Sequence, residues 1–581
     1  MATANPAEIA RPKQNWVVDP LSDVVFIIAA PLLAFVWALL TLQAFGSEFV
    51  WTVFSIFNVA HHMPTFIRIY GDKDLFQRFR WSLILGPVIP LSAGLALSYY
   101  TLTNGYPIQT LFLIMMILTI WDPWHFLMQH YGFMRIYDRH NAAPRKLASW
   151  MDYSVSVAWF TFIMLATGEW LFEGLLHRLF TESGVPLLLW LDPNVYHAIL
   201  SVFLVAAVAC SLVYIGYTIW CIRKGYFVSP AKLILVVITF ATMYVTYVPT
   251  SFFRANFPDW TYQVGFATLG MVHVTQYLAI VWKFNRGLAS RGEKRSRKGV
   301  FSYAFSKGGL VIAVGYVAIC LIYGAVLNHD KLLDGQKEET YNWFTTLSCV
   351  VVCISFTSTL MHYYYDGFIW KLRHKENSEN LEDSSAPSKQ VPIGSWWERL
   401  GQKSLWARFK ADTPVATLVR QACYFGLPLG LLTVLFFYFG QTPRSVGHNT
   451  ANLDGLIRIS EQYDEDPSAE NLAIAQNLVR KMDRQIIAEQ RMAELNPGSR
   501  VGHEVELALL TYARAWGKMA FIVGADPSPA ELDEYRSELK KAMAMLERHF
   551  DPTAEPQGEM QVQMKYYWQT CKEQLAQLDQ Q

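Results

Sequence analysis

Apolar residues in this chain gather into long unbroken runs rather than into alternation or a narrow helical stripe. Eleven runs approach the roughly 20 residues that a membrane-spanning helix needs: 24–45, 49–70, 81–101, 108–134, 152–172, 196–222, 230–251, 262–284, 305–327, 343–371 and 421–440. The pattern predicts an all-α protein: a polytopic membrane helix bundle of about 11 transmembrane helices with a C-terminal soluble helical domain. The stretch Gly174–Leu191 is broken by Gly184-Val185-Pro186 and reads as an interfacial segment. Met1–Pro20 lacks the apolar core and cleavage site of a signal peptide, so the first helix is expected to be retained.

Beyond the tenth run the pattern changes. Lys375–Val391 is polar and free of aromatic residues, which predicts a disordered linker. Gly394–Lys410 mixes Trp396, Trp397 and Trp406 with Lys403, Arg408 and Lys410, the mark of an interfacial helix. After residue 440 a helical period returns over Ala469–Leu495, Gly502–Val523, Glu531–Phe550 and Glu559–Leu578. Asn496-Pro497-Gly498 is a stop and Ser528 a cap. These segments predict a helical bundle or a tetratricopeptide-like pair of hairpins, suited to binding a protein partner. The expected organisation is a cytoplasmic segment 1–23, a ten-helix membrane domain 24–371, a cytoplasmic linker with interfacial helix 372–420, a last transmembrane helix 421–440 and an extracytoplasmic helical domain 441–581.

Composition supports the membrane reading, with 52% hydrophobic and 15% aromatic residues. The net charge of +1 hides an asymmetry: residues 441–581 carry −7 and the preceding 440 carry +8. Lys and Arg follow every even-numbered run (Arg68 and Lys73; Arg135 and Arg139; Arg223 and Lys224; Lys294 and Arg295; Lys371 and Arg373), whereas the intervening loops are poor in them. That alternation predicts a cytoplasmic N-terminus and an extracytoplasmic C-terminal domain, with a bacterial inner membrane as the expected location. The basic loops are explained by topology and anionic membrane lipids, and nothing suggests nucleic acid. Six of the seven cysteines lie in or beside the apolar runs, so no disulfide framework is expected.

Four of the even-numbered runs carry polar groups at membrane depth, where each costs a few kcal/mol unless it faces a protein interior. They are Asn58 with His61, His62 and Pro64; Asp122 with Pro123, His125, Gln129 and His130; His273 with Gln276 and Tyr277; and His362 with Asp366. Counted from the basic residue that ends each helix, the histidines fall in one layer roughly 7–15 Å deep. Residues three and four apart share a helix face, so Asp122, His125 and Gln129 point together, as do His273, Gln276 and Tyr277, and His362 with Asp366. His125 and His130 are about 140° apart, and His61 and His62 about 100°. A lone membrane histidine is ordinarily a hydrogen-bonded packing residue; several on four helices in one layer predict a shared metal site. The expected ligands are His61, His62, His125, His130, His273 and His362, with Asp122, Asp366 and Tyr277 as candidate catalytic groups. The repeated phrase Phe66-Ile-Arg68-Ile-Tyr70 and Phe133-Met-Arg135-Ile-Tyr137 suggests headgroup anchors at the boundary.

Imidazole with carboxylate suits iron, copper or zinc. The expected function is a membrane metal-dependent oxidoreductase, a non-haem iron oxygenase or desaturase-like enzyme acting on a lipid-soluble substrate. In architecture the arrangement resembles the membrane desaturases and hydroxylases, whose clustered HxxxH and HxxHH boxes only His61-His62 and His125-x4-His130 approach. Single histidines spread over several helices are closer to the bacterial membrane carotene-cleaving dioxygenases. Two other classes remain open: a haem protein for electron transfer, and a transporter or lipid-handling protein with a protonatable His/Asp core.

Overall fold

A computed structural model describes residues 14–580 apart from 72, 104–110, 184, 249–250, 295–309, 329–342, 370–411, 440–452, 497–499, 524–526 and 557–558. Among the described residues the chain is helical throughout, with no strand. The polar linker and the Trp-rich segment of 372–410 lie outside the described residues. The chain divides into two compact units: residues 1–98, 114–167 and 200–430, and residues 99–113, 168–199 and 431–581.

Among the described residues six helices are long and apolar enough to cross a membrane: Arg80–Thr103, Pro193–Arg223, Pro230–Tyr247, Tyr262–Asn285, Thr345–Asp366 and Pro414–Leu435. Two bent pairs, Pro20–Ile28 with Ala30–Phe45 and Arg145–Ala166 with Glu169–Phe180, raise the number to eight. This is fewer than the eleven expected from the apolar runs. The stretches 47–71 and 112–137 are not among the eight, and the apolar helix at 314–326 is short. The long apolar helices are compatible with an integral membrane protein.

In the first unit the helices that matter are α1 (Ala30–Phe45), α2 (Ser47–Ala60), α3 (His62–Gly71), α4 (Phe112–Tyr137), α5 (Arg145–Ala166), α6 (Pro230–Tyr247), α7 (Tyr262–Lys294), α8 (Leu310–Val326) and α9 (Trp343–Ile369). The break between α2 and α3 falls at His61. Pro64 lacks the N–H that would bond back to the Ala60 carbonyl, so the helix interrupts there. Glycine lets the neighbours of α2 come close: a Cβ on Gly270 of α7 would lie 2.0 Å from the Phe54 ring, and one on Gly324 of α8 would lie 2.2 Å from the Ile56 carbonyl oxygen. Small residues serve helix packing in membranes in this way.

The arginines of the two Arg-Ile-Tyr phrases turn inward rather than anchoring at headgroups, and so does Tyr137, whereas Tyr70 is half-exposed. Arg68 is buried, its guanidinium 3.6 Å from the Phe284 ring centroid. Arg135 pairs with Asp138 at 2.9 Å and with Asp152, and Lys232 Nζ donates to Asp138 at 2.7 Å and to Asp152 at 3.2 Å. The Tyr214 hydroxyl donates to Asp152 at 3.0 Å, and that of Tyr137 to Asp23 at 3.0 Å. Two cations against two carboxylates leave this polar core neutral, as buried charges require.

In the second unit α10 (Ala469–Leu495) and α11 (Arg500–Lys518) lead on to Pro529–Leu546 and Glu559–Leu578, each packed on its predecessor, with Leu453–Glu465 against α10. Ser528 and Glu531 form a reciprocal cap at the start of Pro529–Leu546. The core includes Leu456, Leu478, Met482, Tyr512, Leu539 and Cys571. Glu169–His177, expected in part to lie at a membrane interface, packs on α10. His177 Nε2 lies 2.8 Å from Glu489, His503 Nδ1 lies 2.7 Å from the other oxygen of the same carboxylate, and Asn496 donates to Glu173 at 2.6 Å.

Burial opposes the Glu489 carboxylate, yet His177 and His503 outweigh it and bring its pKa down to about 2. Burial likewise opposes the charged His503 ring, and Glu173 and Glu489 raise it to about 9. The depressed carboxyl stabilises the fold above its ordinary 4.5 and ceases to as pH falls through 2. The raised imidazole stabilises fully below 6.5 and ceases to as pH rises through 9. Thermal unfolding of the full chain followed against pH is expected to lose stability between pH 6.5 and 9 in the wild type and to flatten over that range in Glu489→Gln. Equal slopes in the two proteins would remove the cluster as the cause.

Candidate metal centre

Four helices of the first unit bring five donors to one place. The break before Pro64 sets His61 at the head of α3, while α4 contributes His125, α7 His273, and α9 His362 with Asp366 one turn on. Nε2 of His61 lies 3.1 Å from Nε2 of His362 and 3.2 Å from Nε2 of His273. Asp366 Oδ2 lies 3.6 Å from His362 Nε2 and 3.7 Å from His125 Nε2. Two donor groups of metal-binding size result, His61/His273/His362 and His125/His362/Asp366, sharing His362.

Hydrogen bonding alone accounts poorly for this crowding. An imidazole nitrogen carries either one proton or one lone pair. Nε2 of His61 therefore makes one good hydrogen bond, or one weakened by sharing, to its two neighbours. Around a metal with bonds of roughly 2.1 Å, cis nitrogens sit about 3.0–3.4 Å apart, and the lone pairs converge without conflict. Both observed separations fall in that interval.

Burial gives the cluster a direction. His61, His273 and His362 are no more than 3% exposed, whereas the side chains of His125 and Asp366 are 11% and 9% exposed. The accessible side is the one with the carboxylate. Beside it the Tyr363 ring lies 4.6 Å from that of His125, and its hydroxyl donates to Asp122 at 2.8 Å. Asp122 thus holds an aromatic neighbour of the cluster and is in neither donor group.

The other sequence candidates divide. Tyr277 donates to Asp366 Oδ1 at 3.3 Å rather than supporting His273. His62 stacks on His362 at 4.7 Å with its Nδ1 3.2 Å from Ser358 Oγ, and it is in neither donor group. His130 turns to Phe240, at 5.3 Å between ring centroids, away from the donors. Gln129 bonds to the His273 carbonyl at 3.1 Å and to Gln276 at 3.3 Å, and Gln276 donates to the Ile27 carbonyl at 2.9 Å; neither amide reaches a ring nitrogen. Sequence reasoning passed over Thr65, whose Oγ1 is 3.1 Å from His362 Nδ1 and also bonded to the Tyr277 hydroxyl. Its spacing, four residues after His61, was the available signal.

Comparison with known families, curated proteins and solved structures returns no match to this chain. The geometry is the basis for reading the site.

Both ring nitrogens of His130 are buried without a hydrogen-bond partner among the described residues. Replacing an unsatisfied polar ring by an apolar one of similar shape is neutral or stabilising. His130→Phe is expected to melt at or above the wild-type temperature, and a marked fall in Tm would reveal a partner for the imidazole.

Proposed function

We propose that this protein is an integral membrane metal-dependent oxidoreductase, with non-haem iron at the His61/His125/His273/His362/Asp366 cluster and a lipid-soluble substrate. The observation that carries the reading is the approach of three Nε2 atoms to within 3.2 Å along the chain His273–His61–His362, with one carboxylate on the accessible side. Several imidazoles with a single carboxylate and an open position form a donor set of the kind that non-haem iron oxygenases use. Bound iron would supply activation of dioxygen as the oxidant. Asp366 compensates charge at the open side; His61, His273 and His362 hold the buried side; the Tyr363 ring lies beside His125.

Haem fits less well. The two axial nitrogens of a bis-histidine haem stand about 4 Å apart with the macrocycle between them, since each bond is about 2 Å. Here the closest ring nitrogens are 3.1 Å apart. We further propose that three more helical stretches, 47–71, 112–137 and 310–326, also cross the bilayer. Eleven crossings with the observed Lys/Arg alternation would place the N-terminus in the cytoplasm and the C-terminal array outside a bacterial inner membrane.

Elemental analysis and an optical spectrum of detergent-purified protein, expressed with added iron, test the assignment. The wild type should hold near-stoichiometric iron without a Soret band. His61→Ala and His362→Ala should lose most of it while retaining wild-type helicity. A folded, metal-free wild type would overturn the proposal.

A further inference from the structure

Between His362 and Asp366 runs a closed series of hydrogen bonds through two residues on other helices. Asp366 Oδ1 accepts from the Tyr277 hydroxyl at 3.3 Å, Tyr277 and Thr65 are bonded hydroxyl to hydroxyl, and Thr65 Oγ1 lies 3.1 Å from His362 Nδ1. The participants come from α3, α7 and α9. Thr65 is 1%, Tyr277 2% and His362 0% exposed.

Proton order along this series is determined from one end. The Tyr277 hydroxyl donates to Asp366 Oδ1, so its single proton is used there. The Tyr277 oxygen then accepts, and the single proton of Thr65 goes to it. Thr65 Oγ1 is left as an acceptor, so the proton between Thr65 and His362 belongs to Nδ1. His362 is consequently in the Nδ1–H form, with the lone pair of Nε2 directed at His61 and Asp366. A metal-ligating imidazole needs its second nitrogen held in this way by a hydrogen-bond acceptor.

We infer that Thr65 and Tyr277 are positioning residues that transmit the acceptor character of Asp366 to His362, selecting the ring tautomer whose Nε2 is a metal donor. One carboxylate thereby acts twice on the same centre: Oδ2 faces it directly, and Oδ1 orients a histidine through two hydroxyls. The role rests on the metal-centre reading above for its purpose, but the tautomer itself does not depend on a metal being bound.

That separation supplies the test. Solid-state nitrogen NMR of histidine-labelled, chelator-treated protein in lipid, with His362 assigned by its loss in His362→Gln, reads the tautomer directly. The wild type should show a protonated Nδ1 at His362, Thr65→Ser should preserve it, and Thr65→Val and Tyr277→Phe should lose it or mix the two forms. An Nε2–H form in the wild type, or an unchanged Nδ1–H form in both Thr65→Val and Tyr277→Phe, would overturn the inference. On the same samples, cobalt(II) titration followed by its visible ligand-field bands reads the consequence. The two disruptive variants should bind on the order of 10- to 100-fold more weakly than the wild type and with altered bands, with Thr65→Ser close to wild type. Wild-type protein with the expected tautomer and no cobalt or iron binding would sink the metal reading and leave the relay standing. Metal binding unchanged in affinity and spectrum across all variants would sink the relay's positioning role and leave the metal reading standing.

Discussion

A single ring nitrogen can serve one proton or one lone pair, and Nε2 of His61 has two other Nε2 atoms within 3.2 Å. The rest of the first unit is arranged around that constraint. With a cation at the centre, three lone pairs converge on it; without one, neighbouring lone pairs face each other across at most one shared proton. Such crowding persists only where the scaffold holds the rings in place. The scaffold here is stiff at the relevant points: the Pro64 break fixes His61, and the glycine contacts of Gly270 and Gly324 seat α2 tightly against α7 and α8. Rigid helices supporting a polar cluster are what a preorganised site requires.

The second polar core of the same unit makes the contrast instructive. Around Asp138 and Asp152, every charge has its opposite: Arg135 and Lys232 share the two carboxylates, and Tyr214 adds a donor. Nothing in that core calls for an external ion, and its chemistry is that of a buried clamp between α4, α5 and α6. The histidine cluster lacks any such closure. Its four imidazoles and one carboxylate bring at most one negative charge and no fixed cation to the cluster, which is consistent with the proposed divalent cation.

Helical class and the presence of apolar membrane-length segments were legible in the sequence, because runs such as 196–222 and 230–251 carry the signal in composition alone. Sequence spacing also identified the histidines and Asp366 as unusual, since polar groups on apolar helices stand out one by one. Which of them converge was not legible. His61 and His62 differ by one residue, and only the helix break separates a donor from a stacked neighbour. His130 follows His125 by five residues, and that turn carries it to Phe240 instead. Thr65 went unseen because a threonine on a helix is ordinarily a backbone-bonded residue, as Thr246 on α6 is in donating to the Thr242 carbonyl at 2.8 Å, and its importance comes from contacts with α7 and α9 that no local pattern encodes. The reading of Arg68 and Arg135 as boundary anchors had the same origin: position along a helix gives depth, but inward or outward orientation is decided by the helices that surround it.

Topology and chemistry are in competition for the same residues. A helix is recognised as a span by its apolarity, and that signal is weakened by Asp122, His125, Gln129 and His130 within nine residues of α4, and by Asn58, His61, His62 and Arg68 in the stretch 47–71. Polar side chains at that depth are tolerable only where other helices shield them from lipid. Pro193–Arg223 has most of its apolar surface outward, whereas the membrane-length part of α9 is largely buried. The division of labour follows from the solvent. Helices with an outward apolar surface are uniform and easy to read, and helices that carry the histidine cluster are sheltered and therefore free to be polar, broken and hard to read from apolarity.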